Sequence, residues 1–336
     1  MRIKCRVSRA ANHFFFISTL AAWHYSCRKD IRDEWLRTTG KLTPREEKAL
    51  ADFASLMQTK YGFGPSASYL GDIFYKYTGQ TVWRALKSFV TAPEDYQVLK
   101  NTFSVFEKRF TKVWQAKNIA PLMALKSALR EKRSLEFLRS LESCFGKKGV
   151  LGAPVVILIL FSPLDRHHTS AGGANLKGNF ITLELPALEK NSWQMSYSLA
   201  ILGHEIGHML FSGRSGSVLI RTVIKDLHLK KKYGQLPFET FSILNEAITA
   251  AFAPLGALGQ SYFPAELSPL LFESISRINV VPIKHSSAKI ISYYGNLEIL
   301  FVWTLFPLTV AYVREKKPID LAFVREAGVF LKKIVE

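Results

Sequence analysis

The chain has 336 residues, 48% of them apolar, with 45 lysines and arginines against 27 acidic residues and a formal net charge of +18. That is enough apolar residue for a full core, arranged in two lobes, and none of the three cysteines has metal-ligand spacing to another, which excludes a cysteine-built metal site. The basic excess is spread along the chain; it favours an anionic surface or polymer as partner, or else a solvated basic exterior, and no zinc-finger, helix-turn-helix or RNA-binding signature accompanies it.

In chain order, Arg2, Lys4, Arg6 and Arg9 precede an apolar run at 14–22. A basic stretch followed by a short apolar one is the order of a signal or targeting segment, here 1–26, and its apolar part is too short to span a bilayer. It predicts a secreted or periplasmic protein; the alternative is an ordinary buried or interfacial N-terminal helix in a cytoplasmic or membrane-associated one. Cys27 and Cys144 would remain after processing, as a disulfide or as two free thiols. Residues 27–146 read as a helical lobe, with amphipathic stretches at 45–61, 81–91 and 118–144. The Gly-Lys-Lys-Gly stretch at 146–149 reads as a hinge into a second unit, 147–336.

Within that unit, 153–161 is a continuous apolar run rich in β-branched residues, the pattern of a buried strand. The glycine-rich 170–178 reads as a loop. The partly alternating 179–185, stopped by Pro186, reads as an edge strand. His167 and His168 are adjacent, point to opposite sides of an extended chain and make a poor chelating pair, so they read as exposed loop residues.

The next segment carries the chemistry. His204-Glu205-Ile206-Gly207-His208 lies inside an apolar helix, 196–211. Histidines four apart emerge from one helical face and can grip a single ion, with Glu205 placed as general base toward a water that the ion activates. Leu199, Leu202, Ile206, Met209 and Leu210 surround the group. An unpaired carboxylate there would be costly, so the helix calls for a cation, and zinc suits histidine. Gly203 and Gly207 each cost about 1 kcal/mol relative to alanine in a helix interior and predict close packing against another backbone. A catalytic zinc takes three protein ligands. A histidine six residues past His208, the third ligand of metzincins, is excluded because Arg214 stands there and Phe211 replaces that family's glycine. Glu246 is the next candidate, a lone carboxylate in a second apolar helix that starts after Pro237 and stops at Pro254. Glu239, on the same helical face, is the rival; its place near the helix start suits a solvated acid.

The 204–208 motif followed by Asn245-Glu246-Ala247-Ile248-Thr249 resembles the thermolysin-like gluzincins, whose third zinc ligand is a glutamate in an Asn-Glu-Ala-Ile-Ser-Asp helix. The resemblance covers these two helices. It implies His204, His208 and Glu246 as ligands of one zinc ion per chain and Glu205 as catalytic base. It implies an α+β, mainly helical fold: a zincin-like domain with a small sheet and edge strand, the zinc helix and the glutamate-bearing helix, beside the helical N-terminal lobe. It further implies that 178–182 binds substrate main chain by strand addition, and that a downstream side chain stabilises the oxyanion, with Tyr293, Tyr294 and His285 as candidates. There are two departures. The gap from His208 to Glu246 is wider than in thermolysin, and the aspartate that orients the first zinc histidine there would fall at Ala250. A different acceptor or a main-chain carbonyl must take its place. Integral-membrane zinc peptidases share the first motif but need several clear spans. Here the further apolar run, 299–313, contains Pro307 and reads as a buried helix.

The function expected from these residues is that of a zinc-dependent metallopeptidase acting on a peptide or protein substrate. The alternative is a non-catalytic zincin fold kept for binding or scaffolding; Ala250 keeps it open and the buried Glu205 opposes it.

Overall fold

The computed structural model describes residues 2–24, 26–62, 70–114, 120–146, 154–164, 171–175, 180–186, 192–211, 214–233, 239–276 and 287–335. Strand β1 (Ile3–Val7) leads through Ser8, whose hydroxyl accepts the Ala11 N–H as an N-cap, into helix α1 (Arg9–Ala21). Then come α2 (Lys29–Thr39) and α3 (Pro44–Leu56), the latter opened by a capping box between Thr43 and Glu46 and continued by a π-turn, Met57–Tyr61. The helices α4 (Gly71–Lys76), α5 (Gln80–Phe89) and α6 (Pro93–Val113) complete the first half. The predicted 118–144 stretch is two helices, α7 (Ala120–Ala128) and α8 (Lys132–Phe145).

Strands β2 (Val155–Ser162), β3 (Gly172–Asn175) and β4 (Phe180–Pro186) follow. The rest is helical: α9 (Ser192–Phe211), α10 (Arg214–Asp226), α11 (Thr240–Phe252), α12 (Ala257–Tyr262), α13 (Pro264–Ser276), α14 (Ser287–Glu315) and α15 (Leu321–Val335). The chain is thus mainly helical with a small mixed sheet, as its sequence predicts.

The sheet has the order β1-β2-β4-β3; β1, β2 and β4 are parallel and β3 is antiparallel. Alternation along the strands sends side chains into two cores. Val155, Ile157, Ile159, Ile181, Leu183 and Leu185 join α7 to α15 on one face. Leu158, Leu160 and Phe180 join α1 to α6 on the other. Burial on both faces explains why β2 is apolar without interruption.

Two sequence expectations change here, and one open alternative is decided. First, α7 and α8 belong to the core built from α7 to α15, the second in chain order, through Leu125, Phe137, Leu141 and Phe145. The division between cores therefore precedes residue 120 instead of falling at 146; residues 147–149 of the predicted hinge lie outside the described residues. Second, 179–185 is not an edge. Strand β4 is paired on both sides, so its main chain is not open to a substrate, and the edge beside it is β3, drawn from the glycine-rich stretch. Residues 178 and 179 lie outside the described residues. Of the two alternatives for Cys27 and Cys144, the structure has the free thiols, packed into opposite cores.

The segment read as a targeting sequence supplies β1 and α1. Phe14, Phe16 and Ile17 of α1 are fully buried, and Leu20 nearly so.

Candidate metal centre

The site is made by two apolar helices and one strand edge. Helix α9 buries Leu199, Leu202 and Ile206 in the second core, and that anchoring fixes the rotation of the face bearing His204, Glu205 and His208. Helix α11 is anchored through Ile243, Leu244, Ala247 and Ile248, which turns Glu246 toward α9. The two helices pack against each other. Gly207 lets them approach: a Cβ there would lie 2.9 Å from Thr249 Cγ2, on α11. At Gly203 a Cβ would lie 2.3 Å from Phe137 Cζ and 3.1 Å from Leu141 Cδ1, both on α8. The two glycines therefore make room for neighbouring side chains, where the sequence suggested a backbone.

His204 Nε2 lies 2.8 Å from Glu246 Oε1, His208 Nε2 lies 3.1 Å from Glu246 Oε2, and the two Nε2 atoms are 2.9 Å apart. One ligand atom from each of these residues falls within 4.8 Å of the others. Tetrahedral zinc with bonds of about 2.05 Å would set such atoms ~3.3 Å apart, so small outward shifts accommodate an ion.

The remaining ring nitrogens are also held. His204 Nδ1 donates to the carbonyl oxygen of Ala253 at 2.8 Å, which leaves Nε2 of the neutral ring as a bare lone pair facing the centre. His208 Nδ1 faces the Asn245 side-chain amide at 3.1 Å and Thr249 Oγ1 at 3.4 Å. The Asn245 Oδ1 atom is buried without a partner. Turning the amide about its last torsion gives Oδ1 the Nδ1–H of His208 and moves Nδ2 to the buried position that Oδ1 held. Two imidazole lone pairs and a carboxylate then converge on one point, an arrangement that a cation relieves. A proton is the only other occupant. Burial by itself would lower the His204 pKa, but Glu246 outweighs it and carries it up to about 10. Burial pushes Glu246 up, and the two histidines outweigh that and hold it well below the usual carboxylate range. The donor set fits zinc, with binding in competition with that proton.

Glu205 points to the sheet side of this cluster. It is buried, and burial raises its carboxyl pKa against the pull of His204 and His208; the Ala174 N–H of β3 donates to it. Gly172 is required at its place, since a Cβ would fall 2.6 Å from Glu205 Cγ and 2.9 Å from Oε1. A cavity of about 400 Å³ opens over the cluster, lined by β3, α9 and α11.

Glu239, the rival ligand, is half exposed, precedes α11 and pairs with Lys231 at 3.1 Å. His167, His168, Pro237, His285 and the side chains of Tyr293 and Tyr294 lie outside the described residues. Three contributors were not singled out from sequence. Asn245 and Thr249 sit beside the predicted ligand, and their spacing from it on one helix was the available signal. Glu298, on α14, is a further, partly buried carboxylate. Burial raises its pKa to about 7, with Glu246 and Glu205 adding to the rise and His204 opposing it. It is a lone acid in an apolar run, the same signal that marked Glu205 and Glu246.

Comparison with protein-family models, with curated protein sequences and with solved structures returns no match for this chain.

Proposed function

We propose that the chain is a single-zinc peptidase of gluzincin type. The observation that carries this reading is the convergence of His204 Nε2, His208 Nε2 and the Glu246 carboxylate. These three residues would hold the ion. When bound, zinc supplies Lewis acidity, making water more acidic and a carbonyl more electrophilic. Glu205 takes the proton of the attacking water and returns it to the departing amine; burial raises its proton affinity toward what both steps need. The hydrogen bond from Ala174 keeps the carboxylate at the strand edge. In the β3–β4 register, where Ala171 and Glu184 are hydrogen-bonded, Gly172 turns its main-chain groups to the outer edge. An extended peptide aligns there by main-chain hydrogen bonds.

The test is the metal content and peptide hydrolysis of the purified chain beside His204→Ala, Glu246→Ala and Glu205→Gln. One zinc per chain, lost in the first two and kept in the inactive third, is the expected result. Zinc retained without hydrolysis of any peptide would favour the non-catalytic alternative, and absence of zinc after reconstitution would end the reading.

A further inference from the structure

From Leu297 onward, helix α14 is buried on one side only. Phe301, Leu305 and Tyr312 lie in the second core, and Glu298 shares their face, beside the residues of the metal centre. On the opposite face, Trp303 is 52% exposed, Val310 is 40% exposed, and Thr304 and Pro307 are also exposed. Half-buried Leu300 and Ala311 extend the stripe in both directions. Positions 303, 307 and 310 recur at helical spacing, so they form one line along the helix. No charged residue falls between 299 and 313. The run ends at Arg314, Glu315 and Lys316, all exposed, with Arg314 4.0 Å from Glu315 and Lys317 following, so this end is basic on balance. A continuous apolar line of this kind is unusual on an exposed helix and marks a contact surface.

We infer that this face of α14 docks, lying flat, on an anionic lipid bilayer. A tryptophan in an apolar stripe closed by basic residues suits the boundary between acyl chains and headgroups. The net charge of +18 attracts the chain to an anionic surface and opposes pairing of the stripe with a second copy, which carries the same charge. The helix does not cross the bilayer, because its other face holds Phe301, Leu305 and Tyr312 in the core. The inference does not depend on the metal centre.

The test is flotation of the full chain with vesicles of phosphatidylcholine, with and without phosphatidylglycerol, beside a Trp303→Ser/Val310→Ser variant. Both residues are exposed, so the variant keeps the native fold, which circular dichroism checks. The expected result is binding that needs phosphatidylglycerol, weakens with salt and falls about tenfold in the variant. Bromine-labelled lipids should quench part of the tryptophan emission, and Trp303→Phe should remove that part. Failure of the native chain to bind, or equal binding by the variant, overturns the inference. So does a dimer in sedimentation that the variant dissolves, since a second copy would then cover the stripe.

Discussion

The Nδ1 atom of His204 lies 2.8 Å from the main-chain carbonyl oxygen of Ala253, just past the end of α11. This hydrogen bond does the work that a side-chain carboxylate at position 250 would do, fixing the ring so that Nε2 faces Glu246. Ala250 itself is fully buried. Ala250→Asp is therefore expected to lower the unfolding free energy by about 3 kcal/mol, because it buries a carboxyl at a fully buried position. It is expected to leave zinc affinity no tighter. Denaturant unfolding and zinc titration check this, and a stable, tighter-binding variant would contradict the carbonyl's role.

Asn245 plays the equivalent part for His208. Asn245→Ala leaves His208 Nδ1 only the more distant Thr249 Oγ1, at 3.4 Å, and should weaken zinc binding by about 10- to 100-fold. Asn245→Asp keeps an acceptor and should lose much less. Competition against a zinc chelator separates the two variants; equal losses would show that Asn245 acts through packing alone.

Gly172 tests the link between β3 and the base. In Gly172→Ala the new Cβ displaces Glu205, whose Cγ would be only 2.6 Å away. Hydrolysis should fall about 100-fold, the effect of misplacing a reacting group by around 1 Å. Zinc content should stay at the native level, because the three ligands lie on α9 and α11. Activity close to native would remove Glu205 from the mechanism.

His13 makes stability depend on pH in a defined direction. Its ring stacks on Phe110 with centroids 4.3 Å apart, and it is 4% exposed. Burial lowers its pKa to about 3, with Glu107 opposing and Arg9 adding to the shift. The folded state therefore binds the proton more weakly than the unfolded chain. The contribution of His13 is fully present above about pH 6.5 and is lost as pH falls from there toward 3, by up to about 1.4 kcal/mol per pH unit. His13→Phe keeps the stack and should remove this component. Urea unfolding at several pH values measures the slope, and an unchanged slope in the variant would refute the assignment.

Removal of residues 1–22 should abolish folding. Strand β1 pairs with β2 over five residues, and α1 buries Phe14, Phe16, Ile17 and Leu20. At about 2 kcal/mol per side chain, these four alone contribute roughly 8 kcal/mol, comparable to the total stability of a domain. Circular dichroism and hydrogen exchange on a chain that starts at Trp23 test this. A shortened chain with native protection would show that the segment is dispensable, as a cleaved leader would be.

The readable part of this protein is local. Two histidines at helical spacing and single carboxylates in apolar helices announce themselves because the helix period and the cost of burying a charge act within a few residues. His204, Glu205, His208 and Glu246 come from that logic, and Glu298 carries the same mark. The sequence also determined that β2 is buried and that much of the first half is helical. What it left open depended on partners far along the chain. The strand at 172–175 has two glycines and no side-chain rhythm, and it exists because β4 supplies its hydrogen bonds. β4 is internal because it pairs with β2 on one side and β3 on the other, and β2 is internal because it pairs with β4 and with β1, more than a hundred residues upstream. The acceptor for His204 is a main-chain carbonyl, an atom every residue possesses. Main-chain hydrogen bonds have no side-chain signature, so only the tertiary structure could place the open edge and the histidine's anchor.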